Sequence, residues 1–202
     1  MKGHGLLEDK VVVVTAAAGT GIGGAAARRC LEEGAQVAIS DQHHRRLAAA
    51  RDELAAGHGD RVWSRGCDVT DEAQVAALIE GAARHFGRID VMINNASVLG
   101  WRAQPGQAHY AAAKAGVMAL TRCAALDVAA HGIRVNAVAP SLAVHPFLAK
   151  VTSEDLLAEL AAAEPFGRAA QPWEVANVIV FLASDYASYM TGEVVSVSAQ
   201  HP

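Results

Sequence analysis

Tyr110 and Lys114 stand four positions apart in the run Tyr110-Ala111-Ala112-Ala113-Lys114, and Ser97 precedes the tyrosine by thirteen positions. On a helix, residues i and i+4 share a face. An ammonium one turn from a phenol favours the phenolate, so the phenol becomes a usable proton donor or acceptor near neutral pH. A serine hydroxyl from a neighbouring strand would complete a site that polarises a carbonyl. The Y-x-x-x-K spacing by itself is common in helices, usually as a solvated pair. It gains weight from a glycine-rich segment far upstream, Gly19-Thr20-Gly21-Ile22-Gly23.

That segment follows the apolar run Val11–Val14 and precedes Ala25–Ala27. A strand, a glycine turn and a helix in that order form the setting of a dinucleotide-binding loop. Glycines let the backbone turn tightly and approach a pyrophosphate, while the helix N-terminus offers free N–H groups and a positive dipole. A plain tight turn is the bland alternative. Asp41 ends the second apolar run, eighteen residues past Gly23. A carboxylate there can accept hydrogen bonds from an adenosine ribose and repel a 2′-phosphate, which points to NAD over NADP. Arg45 and Arg46 nearby could still receive a phosphate. Asp68 follows the third strand, where it would either accept from the adenine amino group or cap the next helix; the sequence leaves both open.

The elements that must position these residues alternate regularly. Strands are expected at 10–15, 36–41, 61–65, 89–94, 133–137 and 194–197. Helices are expected at 25–34, 44–58, 71–86, 108–130, 154–163 and 174–183, with Thr70 as N-cap of the third. This order implies right-handed βαβ crossovers and an α/β, doubly wound parallel sheet of Rossmann type. The 202 residues suit one domain over 1–202. More than half are hydrophobic and few are aromatic, as expected for Val-rich buried strands under Ala-rich helices.

Composition also excludes. A net charge of −4 leaves no electrostatic footprint for nucleic acid. No apolar stretch approaches a membrane span, and the N-terminal residues carry no signal-peptide core, so a cytoplasmic protein is expected. Cys30, Cys67 and Cys123 are widely spaced and read as reduced thiols. No Cys/His spacing suggests a metal site.

Together these residues resemble the short-chain dehydrogenase/reductase family over nearly the whole chain. Thr15 to Gly23 resembles its glycine-rich loop, with Ala16 where glycine is usual and one extra residue. Cys67-Asp68-Val69-Thr70 resembles its adenine-side motif, and Asn94-Asn95-Ala96 its NNAG motif. Ser97, Tyr110 and Lys114 resemble the catalytic serine, tyrosine and lysine, and Asn136 to Pro140 the stretch leading to the nicotinamide-side loop. The resemblance implies cofactor contacts at Thr15, Gly19, Gly21, Ile22, Gly23, Asp41, Asp68, Val69, Asn95, Tyr110, Lys114 and Pro140. It implies NAD as cofactor, with NADP as the alternative, a small-molecule alcohol or ketone as substrate, and a homo-oligomer. Within the family the texture of 97–122 resembles 3-oxoacyl-thioester reductases and hydroxyacyl-CoA dehydrogenases of steroid-ring breakdown.

The chain departs from the family in the middle. Family members place a helix and a further strand between the NNAG strand and the catalytic serine, whereas Ala96 runs directly into Ser97. A unit of ~30 residues or more is absent, and no residue matches the family's catalytic asparagine. The sheet is expected to be one strand and one helix short and to close over the gap, because a hole would expose unpaired backbone. A displaced catalytic set would slow turnover. The alternatives are therefore a nucleotide-binding relic or scaffold, or a chain that acts by association with full-length partners. Ser141 stands where glycine is usual, and His145 where a threonine commonly meets the nicotinamide amide.

Overall fold

Four consecutive valines cannot be buried by one face of a strand, and Val11–Val14 (β1) accordingly runs through the middle of a sheet with every residue buried. The computed structural model describes residues 3–95, 97–101, 105–144, 148, 150 and 152–199. The remaining strands are Gln36–Asp41 (β2), Val62–Gly66 (β3), Val91–Asn95 (β4), Ala137–Pro140 (β5) and Val194–Val197 (β6). They form a six-stranded sheet in the order β3-β2-β1-β4-β5-β6, and each neighbouring pair is parallel. The helices are Ile22–Glu32 (α1), His44–His58 (α2), Glu72–Phe86 (α3), Ala108–Val128 (α4), Glu154–Ala163 (α5) and Pro172–Ala183 (α6).

Side chains alternate across the sheet and divide the core. On one face Val12, Val14, Val37, Ile39 and Val138 pack with α1 and α6. On the other, Val13 and Ala38 lie beneath Leu78 and Ala82 of α3, while Ala137 and Ala139 lie beneath Met118 of α4. No other element of the described residues joins these last two clusters into one.

The sheet closes over the shortened middle, but only in part. β4 meets β1 at Val91, Met92 and Ile93. It meets β5 only at Asn94 and Asn95, opposite Ala137 and Val138. The carboxyl end of β4 meets the amino end of β5, and the stretch ahead of β5 parts from the rest of β4.

Three expectations are corrected. The strand expected at 133–137 begins at Ala137, because 134–136 are tied to the connection before β6 instead of to β4. The Arg134 guanidinium donates to the carbonyls of Leu182, Ser184 and Met190, and the Asn136 amide donates to Met190 O while accepting from Glu193 N. The third helix is capped by Asp71, whose carboxylate accepts from Gln74 N, and not by Thr70. The first helix begins at Ile22, three residues before the expected start, so that Ile22 and Gly23 belong to its first turn.

The segment ahead of β1 is fastened by one carboxylate. Glu33 is fully buried and accepts from His4 N at 2.8 Å, Leu6 N at 3.3 Å and the Arg29 guanidinium at 2.5 Å. Burial alone would raise its pKa, but these bonds outweigh burial and hold it below its ordinary value of 4.5. A carboxyl titrating lower in the folded than in the unfolded chain contributes stability above the ordinary glutamate range and loses it as pH falls through the folded value. Glu33→Gln keeps the shape and an acceptor but cannot ionise. Urea titrations of the variant across pH 6 to 3 (roughly the carboxylate range) are expected to show a flatter acid decline than the parent chain; parallel declines would remove Glu33 from acid sensitivity.

Candidate active site

A parallel sheet delivers every β-to-α connection to the same edge. The switch point of this one lies between β1 and β4, where connections leave in opposite directions and open a crevice. The glycine loop follows β1, Asp41 ends β2, Asp68 and Val69 follow β3, Asn95 ends β4 with Ser97 just beyond, and Pro140 ends β5. The structure therefore gathers the sequence-identified residues on one edge although they span more than half the chain.

The loop is held in a form that only small residues permit. Ala16 takes φ +52°, a left-handed conformation that costs a non-glycine residue about 1–2 kcal/mol. A Cβ on Gly24 would lie 1.9 Å from Gly19 O, and one on Gly23 would lie 2.5 Å from Ala16 O. The first turn of α1 thus presses against the loop. Gly21 is the N-cap of α1 and provides no side-chain partner, so the first N–H groups of that helix are left for a ligand. A Cβ on Gly19 would meet no protein atom within 4 Å, so packing does not demand that glycine and the space beside it is open. The residues present thus fit a dinucleotide. Gly24 was not singled out from the sequence, although the Gly23-Gly24 doublet was its signal.

Asp41 is tied to the backbone on both sides of it. Its Oδ2 accepts from Ala18 N at 3.3 Å and its Oδ1 from His43 N at 2.9 Å. Ser40 O accepts from Ala17 N at 3.0 Å, so the end of β2 pins the glycine loop. The Ser40 hydroxyl beside it is buried without a hydrogen-bond partner among the described protein atoms. At the end of β3, Thr70 donates to Asp68 through its N–H at 3.0 Å and its hydroxyl at 2.8 Å. Those bonds hold the Asp68 carboxyl below its ordinary range. Asp68 is therefore not the helix cap, and its remaining lone pairs and the exposed Val69 face solvent at the crevice edge.

Tyr110 lies in the first turn of α4 and is 38% exposed. Lys114 Nζ sits 5.6 Å from the centre of its ring, within cation–π reach. Partial burial pushes the Lys114 ammonium below its ordinary pKa. Ser97 is buried, and its Oγ accepts from Leu99 N at 3.3 Å. It opens the 3-10 turn Val98–Gly100, which packs on α4. The contact is close: a Cβ on Gly100 would lie 2.6 Å from Met118 Cε and 3.1 Å from Ala115 N. So Tyr110 and Lys114 are side by side, and Ser97 arrives on the segment seated against the same helix. Ser141, in place of the usual glycine, donates to Glu164 at 3.2 Å and ties the exit of β5 to the end of α5. His145 lies outside the described residues. Among the described residues no cluster of His, Cys, Asp or Glu could hold a metal ion, and no helix is long and apolar enough to cross a membrane.

Comparison with known proteins shows the family. Residues 10–105 match the family described as short chain dehydrogenase, and residues 96–199 match the one described as Enoyl-(Acyl carrier protein) reductase. A Mycobacterium tuberculosis protein, (5R,7aS)-5-hydroxy-7a-methyl-1-oxo-2,3,5,6,7,7a-hexahydro-1H-indene-carboxyl-CoA reductase, is 52% identical, covering 99% of this chain and 96% of its own. The chain belongs to the short-chain dehydrogenase/reductase family. As a member it is an oxidoreductase enzyme of Rossmann-like fold. Cis-4-hydroxycyclohexanecarboxylate dehydrogenase of Sinomonas cyclohexanicum is 39% identical over 94% of this chain and 95% of its own. The crystal structure of a short chain dehydrogenase from Mycobacterium smegmatis superposes with a TM-score of 0.86 at 46% identity, covering 100% of this chain and 97% of that one. The alignment with the M. tuberculosis reductase runs over 251 positions, more than the 202 residues here can fill, and the two family matches meet at 96–105, where the helix and strand are missing.

Two substitutions separate the ligand's demands from the fold's. Ala16→Gly removes the left-handed strain and is expected to raise stability by up to about 1 kcal/mol in denaturant titrations. Gly19→Val is expected to leave the melting temperature near the parent value while weakening NADH binding at least about tenfold by fluorescence titration. Equal NADH affinity in Gly19→Val would mean that the open approach at Gly19 serves no phosphate.

Proposed function

We propose that this enzyme interconverts a secondary alcohol and a ketone with NAD(H) or NADP(H), on a carboxylated ring or its acyl-thioester. The Tyr110–Lys114 pair at the crevice carries the reading of the reaction. The substrate class draws support from two relatives, one named for a hydroxylated bicyclic carboxyl-CoA and the other for a hydroxycyclohexanecarboxylate. Both names describe a ring bearing oxygen and a carboxyl group.

The bound dinucleotide would supply the hydride acceptor or donor. Everything else falls to the chain. The glycine loop and the first turn of α1 bind the pyrophosphate, with Thr15, Gly19, Gly21, Ile22 and Gly23 at that contact. Asp41 accepts from the adenosine ribose and disfavours a 2′-phosphate, so NAD(H) is preferred. Asp68 and Val69 border the adenine, and Asn95 and Pro140 border the nicotinamide end. Tyr110 passes a proton between its hydroxyl and the substrate oxygen. Ser97 holds that oxygen by a hydrogen bond, and Lys114 holds the nicotinamide ribose and keeps positive charge beside the phenol. The reading of a nucleotide-binding relic gains no support from the comparisons, in which the named relatives are enzymes.

Turnover of a hydroxycyclohexanecarboxylate, free and as its CoA thioester, tests the proposal. Tyr110→Phe is expected to lower kcat by about a hundredfold or more with NADH affinity within about twofold of the parent chain. Asp41→Asn keeps an oxygen for Ala18 N–H but loses the charge, and is expected to shift the kcat/KM ratio toward NADP. A Tyr110→Phe enzyme at parental rate would end the proposed proton transfer, and an unaltered cofactor ratio would end the role of Asp41.

A further inference from the structure

One missing unit leaves two marks on the structure. The first is in the sheet. Beyond the two residues that join β4 to β5, the strands part around a cavity of about 440 Å³. Val91, Met92 and Ile93 line one side, Ile133, Arg134, Asn136, Ala137 and Val138 the other, and Ile179 and Leu182 of α6 the back. Charges at its mouth are neutralised in pairs, Lys10 with Asp185 and Arg88 with Asp90. The rest of the lining mixes the polar Arg134 and Asn136 with strand edge and the apolar Val91, Ile133, Ile179 and Leu182.

The second mark is on the face covered by α3 and α4. The core there is divided into one cluster under each helix. Between them Met92 is 39% exposed, although its neighbour across the ladder, Val13, is fully buried. An unbranched apolar side chain on a central strand in that state marks a break in the cover between α3 and α4.

A strand-wide wedge and a break in the helix cover on adjoining parts of β4 match what the longer relatives carry at this point of the chain. Their alignments overrun this chain, and the two family matches meet at the end of β4. We propose that this surface accepts an amphipathic helix followed by an apolar strand, supplied in trans by a full-length member of the same family. The strand pairs with the free edges in the wedge by β-addition, and the helix lays its apolar side over Met92. A second copy of this chain is a poor occupant, because it lacks the same unit. This inference rests on family membership and not on the proposed reaction.

The test uses the full chain and a synthetic peptide copying the M. tuberculosis relative from the position matching Asn95 to that matching Ser97. Labelled peptide is expected to bind saturably with Kd on the order of micromolar. Its binding is expected to slow amide exchange over 91–93 and 133–137. Met92→Asp is expected to weaken binding about tenfold or more, while Tyr189→Asp, on a fully exposed residue, leaves it unchanged. No binding at about millimolar peptide, binding without slowed exchange in those two stretches, or parental affinity in a folded Met92→Asp would each overturn the proposal. So would protection of the same amides without peptide in a chain that sediments as a dimer, which would make a second copy the occupant. None of these readouts involves NADH or turnover, so they stand or fall apart from the catalytic reading.

Discussion

Everything at the catalytic edge depends on β4 keeping a partner on each side. β1 brings the glycine loop to that edge and β5 brings the exit toward α5, and β4 is the only strand between them. Three contacts with β1 and two with β5 achieve this. Buried backbone N–H and C=O groups need partners, so a shortened chain is driven to close its sheet. The contacts with β5 fall at Asn94 and Asn95, the end from which the chain leaves for Ser97. Closure is therefore best at the edge that carries the glycine loop and the Ser97 segment and poorest at the opposite end.

Charge and close approach then shape the crevice from the backbone outward. Asp41 and the Ser40 carbonyl fix the loop to β2, and Gly23 and Gly24 let α1 press on it. These are short-range demands met by small residues. Gly100 does the same for the second half of the site, letting the segment after Ser97 sit on α4 beside Met118 and Ala115. Lys114 is half-buried against the Tyr110 ring, so its ammonium is partly desolvated there.

The places where expectation and structure part have local causes. The alternation at 133–137 looks like a strand, yet the Arg134 and Asn136 side chains have partners at 182–190, and that stretch follows the connection before β6 instead of β4. Thr70 and Asp71 are both good caps; Asp68 occupies the Thr70 N–H and hydroxyl, which leaves Asp71 to cap α3. Asp41 stands out in the sequence as a candidate at the end of β2, but its hold on Ala18 and His43 depends on where β2 ends relative to the loop, and spacing along a chain does not record that.

The sequence by itself determined the order of strands and helices, the glycine loop and the Tyr110–Lys114 spacing, and its resemblance to the family pointed to the missing helix–strand unit. The first three are properties of residue type at fixed separation: β-branched runs, small-residue turns and one helical turn between two side chains. Only the tertiary structure decided how the loss is absorbed. Whether two strands zip along their length or at one end depends on competing partners from distant parts of the chain, here Arg134 and Asn136 held by 182–193 and Met92 left without a helix above it, and such competition has no local signature.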